Sequence, residues 1–169
     1  MSRVSMQALA RAIKSIQALD VRQKALLVDE LFRVQPNMFS SILVLQQMGV
    51  SLEKLDFALN LLFICFQSMK ETGSMWPLIT DAEQDKQMAR YVAAVRFGED
   101  LPPAQSQRAM QQYLNAHPER PLLAYVMTEL ATWLANIVPD ESDKYVMLSC
   151  VNLVNCIAFV PIPGTVKKA

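Results

Sequence analysis

The sequence predicts an all-α fold, either a single-domain helical bundle or a short stack of helical hairpins, with about eight helices. Its 169 residues contain only 4 glycines but 10 methionines, and 52% of the residues are hydrophobic. Methionine, leucine, alanine and glutamine lose little side-chain entropy in a helix, whereas a chain with few glycines supplies few of the turns that a sheet needs. Apolar residues also recur at helical intervals of three or four positions.

One domain is predicted because the chain length lies within the range that a single hydrophobic core usually fills. We assign the helical domain to residues 1–160. Pro161, Pro163 and Gly164 then end regular structure, so residues 161–169 are expected to form an irregular C-terminal tail.

The first two predicted helices are amphipathic. Helix 1 has its apolar positions largely on one side, opposite a polar side; they are Val4, Met6, Leu9, Ile13 and Ile16. Asp20 can accept hydrogen bonds from the free amides at the start of helix 2, and Pro36 marks the end of that helix. The apolar stripe of helix 2 consists of Leu27, Leu31 and Val34.

The next two predicted helices bring the chain into the core. Helix 3 is expected to be capped by Asn37 and to end at Gly49, which can take a left-handed conformation without a Cβ penalty. Ser51 is a favourable N-cap for helix 4, which spans Leu52 to about Lys70. Because residues 57–66 are apolar almost all round, helix 4 is predicted to be the central helix of the fold.

The second half of the chain contains four further predicted helices. Thr80 precedes a first turn rich in acidic residues, which favours a helix start there, and Gly98 ends this helix 5. Pro103 and Pro121 suit the first turns of helices 6 and 7, where a missing amide donor does no harm. The predicted bounds are Pro103 to Asn115 or Ala116 for helix 6, Pro121 to Pro139 for helix 7, and about Ser142 to Val160 for helix 8.

Residues 36–69 and 121–159 share a weak parallel. Each segment starts near a proline and continues through a helix, a turn and a second helix that is the most apolar of its half. The spacings differ by several residues, and no other signature recurs. We therefore interpret the parallel as chance similarity, with an internal repeat as the alternative.

Charge and hydropathy argue against nucleic acid and membranes as partners. Lys plus Arg and Asp plus Glu number 16 each, so no net field attracts anionic polymers or lipids. The apolar stretch 57–66 is too short to span a bilayer, and polar residues interrupt the longer stretch 145–160. No secretory signal is apparent and the three cysteines lie in apolar runs, which predicts a cytoplasmic protein with reduced thiols.

The sequence shows no catalytic, cofactor-binding or metal-binding pattern, so we predict a protein that is not an enzyme and binds no cofactor or metal. His117 is the only histidine, and its place at a predicted helix end is typical of a structural imidazole that interacts with the last carbonyls. The 4 glycines stand far apart and form no phosphate-binding loop. Cys150 and Cys156 lack the close pairing that zinc sites use.

Ser149, Asn152 and Asn155 form a polar strip in the otherwise apolar helix 8. Their spacing of three places the side chains near one helical face, and each buried amide must find hydrogen-bond partners. Such a strip can contact a ligand or specify an oligomer, or it can belong to a hydrogen-bond network within the core. From the sequence alone we favour the core network.

Met75 and Trp76 lie in the turn-rich connection between helices 4 and 5. An aromatic residue in such a loop either packs against the core or stands out as a binding anchor, and inward packing is the commoner arrangement. Both residues are therefore candidate interaction contacts, and neither arrangement implies catalysis.

The leading functional hypothesis is a non-catalytic protein that mediates protein–protein interaction or scaffolding and self-associates, most simply as a homodimer. High apolar content without a catalytic constellation motivates it. The alternative is a small-molecule-binding protein with an apolar pocket between helices 4, 7 and 8, in which Asn152, Asn155 or Tyr125 orients the ligand.

Overall fold

A computed structural model describes residues 1–164, and α-helices make up most of this part of the chain. A short 3-10 helix, Val44–Gln46, follows the third of them. The prediction of an all-α fold with about eight helices is confirmed for these residues. The helices are α1 Met6–Gln17, α2 Val21–Val34, α3 Pro36–Leu43, α4 Leu52–Glu71, α5 Asp81–Glu99, α6 Pro103–Ala116, α7 Arg120–Asn136 and α8 Asp143–Phe159.

Three of the predicted helix starts are confirmed by their capping hydrogen bonds. The side chains of Asp20, Ser51 and Thr80 each accept a hydrogen bond from the backbone N–H three residues further on, at 2.8, 3.3 and 3.1 Å. These bonds satisfy amides that have no partner inside the helix. They fix where α2, α4 and α5 begin.

The predicted start and end of the third helix are wrong. Pro36 occupies the first position of α3, because a residue without an amide donor and with a fixed φ suits that position. The Asn37 side chain instead donates to the Ile79 carbonyl at 3.0 Å. The α-helix ends at Leu43, and Gly49, with φ of 90°, closes the turn that follows the 3-10 helix.

Helices α4 and α8 lie side by side in the middle of the fold. Half of the side chains of α4 are buried, and all of residues 150–158 in α8 are buried. The prediction that helix 4 is central is therefore confirmed, and α8 shares that position. Apart from α6, which buries no residue, every helix adds side chains to one hydrophobic core.

The two halves of the described chain repeat the same order of packing. Helices α1 and α3 pack on α4, and α2 packs on α3; in the second half, α5 and α7 pack on α8, and α6 packs on both α5 and α7. The segments 36–69 and 121–159 of the weak sequence parallel hold the pairs α3–α4 and α7–α8. The correspondence concerns packing order alone.

A buried ion pair joins the start of α4 to the turn between α7 and α8. Lys54 Nζ donates to Asp143 Oδ1 and Asp140 Oδ2, each at 2.6 Å, and to the Val138 carbonyl at 2.9 Å. Hydrogen bonds from Lys54 and Ser142 lower the pKa of Asp140 to about 2. The two central helices are thus tied at one end.

The Glu119 side chain fastens the N-terminal segment to the core. Glu119 is fully buried, and its two carboxylate oxygens accept hydrogen bonds from the backbone N–H groups of Arg3 and Val4. The Arg3 guanidinium donates to the carbonyls of Ile157 and Val160, at 2.8 and 2.7 Å, at the C-terminal end of α8. The start of the chain is therefore held against both α7 and α8.

Two further expectations concern the C-terminal tail and membrane-spanning helices. Residues 161–164 do not continue α8, and the remainder of the predicted tail, 165–169, lies outside the described residues. Within residues 1–164, no helix combines the length and the apolar character needed to cross a membrane.

Candidate functional site

The polar strip of α8 divides between two surroundings. A step of three residues in a helix with 3.6 residues per turn moves each side chain back by about 60°. Ser149 and Asn152 consequently face a cavity between α3, α5 and α8, whereas Asn155 faces a cluster of aromatic and imidazole rings. The strip is therefore not a single binding face.

The cavity beside Ser149 and Asn152, called the Asn152 cavity below, has a volume of about 380 Å³. Pockets of this size accommodate small organic molecules. It differs in position from the pocket expected between helices 4, 7 and 8, and Tyr125 does not line it. Helices α4 and α8 contact each other directly. The apolar walls of the cavity are Val44, Met48, Met88, Val92, Tyr145 and Leu148.

Two buried polar atoms of residues that line this cavity have no hydrogen-bond partner within residues 1–164. They are Asn152 Oδ1 and Gln84 Nε2, and both residues line the Asn152 cavity. Asn152, which is only 7% exposed, donates through Nδ2 to the Gln84 backbone carbonyl at 3.1 Å. One acceptor and one donor thus remain unpaired, and unpaired buried polar atoms are rare in folded proteins.

Asn155 belongs to a core hydrogen-bond network. Its Oδ1 atom lies 2.8 Å from His117 Nε2 and accepts a weaker hydrogen bond from the Tyr113 hydroxyl at 3.4 Å. His117 Nδ1 accepts from the Glu119 backbone N–H at 3.1 Å. Since Nδ1 is an acceptor, the neutral ring carries its proton on Nε2 and donates it to Asn155. The network joins α6 to α8.

The sequence suggested that the His117 ring interacts with the last carbonyls of α6, but in the structure it does not. Its ring is turned inward, is buried, and lies edge-on to Phe159 with ring centroids 5.8 Å apart. Burial lowers the pKa of His117 below 6.5, although the hydrogen bond to Asn155 acts in the opposite direction. A second proton on Nδ1 would also oppose the Glu119 N–H, so the folded state favours the neutral imidazole.

We expect the free energy of unfolding to decrease as the pH falls below about 6.5, the ordinary pKa of histidine. In the window between that value and the lowered pKa of the folded state, the unfolded chain binds more protons, so stability falls by at most about 1.4 kcal/mol per pH unit. Urea unfolding at several pH values between 7.5 and 5.0, with wild type and His117→Gln, measures the effect.

Comparing wild type with His117→Gln cancels the contribution of Glu119 to the pH dependence of stability. Burial raises the pKa of Glu119, so this carboxyl acts with the opposite sign, losing stability as the pH rises above about 4.5. Glu119 is present in both proteins, and His117 is the only histidine. Equal pH dependence in wild type and His117→Gln would contradict the prediction.

Trp76 packs against its own loop and the end of α4. Its Nε1 donates to the Met69 carbonyl at 2.9 Å and to Thr72 Oγ1 at 3.1 Å. The Arg3 guanidinium lies over the ring, 5.9 Å from its centroid. Met75, by contrast, is 89% exposed. Of these two residues, Met75 is therefore accessible to a partner protein, while the Trp76 indole is held against the end of α4.

An apolar stripe on the outer face of α2 is largely exposed to solvent, although its Val28 is half-buried and its Phe32 lies edge-on to Phe39. Val21, Ala25, Val28 and Phe32 are spaced four, three and four residues apart, which places them within an arc of about 60° on the helix. Val21 is 86% exposed and Phe32 is 64% exposed. The sequence contains this spacing, but only the stripe of Leu27, Leu31 and Val34 is predicted from it. Of these three, Leu27 and Leu31 are buried and Val34 is exposed. We call the exposed set the α2 stripe.

A second apolar surface lies between α5 and α6. It is an open groove of about 570 Å³ with Tyr91 and Tyr113 in its wall, and Phe97 and Met110 exposed along it. Phe97 is 67% exposed, almost the same as Phe32. The groove therefore provides a matched comparison for any experiment on the α2 stripe.

Comparison of the chain with known protein families, curated proteins and solved structures gives no match. Within residues 1–164, no group of three or more His, Cys, Asp or Glu side chains is placed to hold a metal ion. Burial raises the pKa of Cys65 to about 12, which leaves this thiol protonated at neutral pH. The features available for function are thus the α2 stripe, the α5–α6 groove and the Asn152 cavity.

Proposed function

We propose that the protein is a non-catalytic interaction protein that self-associates as a homodimer through the α2 stripe. The observation that carries the proposal is the exposure of this stripe on a helix whose opposite side is already packed in the core. Exposed apolar side chains at coiled-coil spacing are typical of a helix that pairs with another helix. The occupant proposed is the α2 helix of a second copy.

When two α2 helices pair antiparallel, the α2 stripe of one copy packs against the α2 stripe of the other. With the axis of symmetry midway along the stripe, Val21 meets Phe32 of the second copy and Ala25 meets its Val28. The flanking positions then place Arg22 beside Asp29 of the second copy, twice in the dimer. Within residues 1–164, neither side chain forms a salt bridge, and both are exposed. This charge complementarity supports a second copy as the partner.

We expect light scattering across a concentration series to show a monomer–dimer equilibrium. A single pair of helices buries little surface compared with stable dimers, so the Kd is expected to be on the order of micromolar. Phe32→Asp should raise the Kd at least about tenfold, because it places an unpaired charge in an apolar contact. Phe97→Asp, the matched control, should leave the Kd unchanged.

Charge reversal tests the orientation of the pair. Arg22→Glu and Asp29→Arg should each raise the Kd roughly threefold, whereas the double variant, which restores opposite charges across the axis, should recover the wild-type Kd. A protein that stays monomeric at all concentrations would refute the dimer. Additive losses in the double variant would refute the antiparallel arrangement.

The proposal places the protein in the cytoplasm, with no role for nucleic acid or membranes. Cys65, Cys150 and Cys156 are all unpaired and buried, which suits a reducing compartment. The equal numbers of acidic and basic residues support a protein partner over an anionic polymer.

A second candidate function is the binding of a small molecule in the Asn152 cavity. The specific observation in its favour is the unpaired buried acceptor and donor on two of the residues that line this largely apolar cavity. Ligand pockets commonly combine apolar walls with a few such polar groups that orient the ligand. Dimerisation and ligand binding use different faces, so the two functions are compatible.

A further inference from the structure

We infer that a small cavity beside the α5–α6 groove binds a monocarboxylate with a flat apolar body, of which benzoate is a simple example. The cavity, called the Arg90 cavity below, has a volume of about 190 Å³ and shares Tyr91, Ala94 and Tyr113 with the groove. Neither the α2 stripe nor the Asn152 cavity contributes a residue to it. The inference therefore goes beyond the proposed function.

The Arg90 guanidinium gives this cavity a positive charge that has no ionic partner. Arg90 forms no salt bridge within residues 1–164, and it is the one charged side chain among the described residues that line the cavity. A single positive charge favours a ligand with a single negative charge. The parallel N–H groups of a guanidinium also match the two oxygens of a carboxylate.

Two contacts hold the guanidinium at the wall of the cavity. Its Cζ atom lies over the Phe159 ring, 4.4 Å from the centroid, and its Nη1 group donates to Gln87 Oε1 at 3.2 Å. Gln87 is only 1% exposed, and its Nε2 donates to Glu83 Oε1 at 2.8 Å, which fixes the direction of its amide. The other N–H groups of Arg90 remain available to a ligand.

Asn155 supplies a neutral donor to the same cavity. It is only 2% exposed, and its Oδ1 atom is occupied by His117 and Tyr113, whereas its Nδ2 group forms no hydrogen bond within residues 1–164. Unlike the unpaired atoms of Asn152 and Gln84, this Nδ2 group is not completely enclosed. Because Asn155 lines the Arg90 cavity, its free N–H groups are available to a ligand oxygen there.

The Tyr113 hydroxyl is a second neutral donor within reach of the Arg90 charge. It donates to Asn155 Oδ1 over 3.4 Å, a long hydrogen bond that a ligand oxygen can replace. Burial raises the pKa of Tyr113, while the hydrogen bond with Asn155 and the positive charge of Arg90 act in the opposite direction. Residues from α5, α6 and α8 thus present donors to one bound anion.

The size and walls of the cavity limit the body of the ligand. Pockets for drug-sized ligands measure roughly 300–1,000 Å³, whereas a cavity of roughly 150 Å³ holds benzene. A volume of about 190 Å³ therefore suits one aromatic ring with its carboxylate. Tyr91, Ala94 and Phe159 supply apolar surface against which such a ring packs.

The test is a titration of the full chain at pH 7.5 followed by NMR, with benzoate as the probe. We expect saturable binding with a Kd on the order of 0.1–1 mM, and at least about tenfold weaker binding of benzamide, a neutral compound of nearly the same shape. Inorganic phosphate should not displace benzoate, because it has no apolar body and its second charge has no cation to pair with.

Variants at exposed positions assign the binding to the Arg90 cavity. Arg90→Gln removes the charge and should abolish the preference for benzoate over benzamide. Arg96→Gln, the matched control, removes an exposed arginine of the same helix that does not line the cavity, and it should leave both affinities unchanged. Ala94→Phe fills the cavity and should prevent binding of both compounds, while thermal unfolding checks that each variant is folded.

Several results would overturn the inference. Failure of benzoate to bind, or equal affinities for benzoate and benzamide, would refute a carboxylate site. Displacement of benzoate by an equal concentration of phosphate would show a general anion site and refute the ligand class. Equal losses in Arg90→Gln and Arg96→Gln would mean that benzoate binds to surface charge and not to the cavity. None of these results bears on the homodimer, which uses α2.

Discussion

Replacement of Glu119 by alanine is expected to lower the free energy of unfolding by about 3 kcal/mol. The carboxylate is fully buried and is the acceptor for the backbone N–H groups of Arg3 and Val4. Alanine leaves both donors without a partner and removes the charge that faces the Arg3 guanidinium. Urea denaturation followed by circular dichroism at pH 7.5 measures the change.

Two further variants test whether the carboxylate itself is responsible. Glu119→Gln keeps the volume but turns one oxygen into an NH₂ group opposite an amide donor, so an intermediate loss of roughly 1–2 kcal/mol is expected. Glu141→Ala removes an exposed glutamate and should change the free energy of unfolding by less than about 0.5 kcal/mol. Equal effects of Glu119→Ala and Glu141→Ala would show that the N-terminal contact does not stabilise the fold.

Replacement of Gln35 by leucine is expected to destabilise the protein by about 2 kcal/mol. Gln35 is fully buried; its Nε2 donates to the Pro77 carbonyl at 2.8 Å, and its Oε1 accepts from the Ile79 N–H at 3.0 Å. Leucine has a similar size but leaves both backbone groups unpaired. The connection between α4 and α5, which contains Trp76, should therefore open more often.

Hydrogen exchange of the Ile79 amide distinguishes this local effect from a general loss of stability. In Gln35→Leu, this amide should exchange faster by a larger factor than the amides of the central helix α4. Gln105→Leu, at an exposed position of α6, is the matched control and should leave both rates unchanged. A uniform increase across all amides would mean that Gln35 does not hold the connection specifically.

Much of the fold can be predicted from local sequence patterns. Asp20, Ser51 and Thr80 act as helix caps because capping involves residues only three positions apart, and the apolar run 57–66 identifies a central helix. The third helix was misjudged because Pro36 can either end one helix or start the next, and local sequence does not decide between them.

The long-range polar contacts cannot be predicted in this way. Glu119 lies in a short charged segment that resembles a surface loop, and its partners are 115 and 116 residues away. Gln35 bonds to backbone groups 42 and 44 residues further on. Sequence spacing does not identify either side chain, because such contacts depend on how helices that are distant in the sequence pack together.

The candidate sites also combine features that local sequence predicts with features that depend on long-range packing. The spacing of Asn152 indicates a polar group on an apolar helix. Gln84, the second residue with an unpaired buried atom, follows the acidic first turn of α5 and resembles a solvent-exposed residue in the sequence. The α2 stripe follows directly from residue spacing. Which of the two stripes on α2 is buried depends on the position of α3, and only the structure provides that.

The attachment of the N-terminal segment to the end of α8 has a consequence for biosynthesis. Arg3 bonds to Ile157 and Val160, which are 154 and 157 residues later in the chain. While the ribosome is still making α8, those carbonyls do not yet exist, so the first segment emerges long before its acceptors. Contacts of such high sequence separation form late in folding. The contacts of Arg3 can therefore form only after α8 has been synthesised, whereas α1 can already pack on α4 before that point.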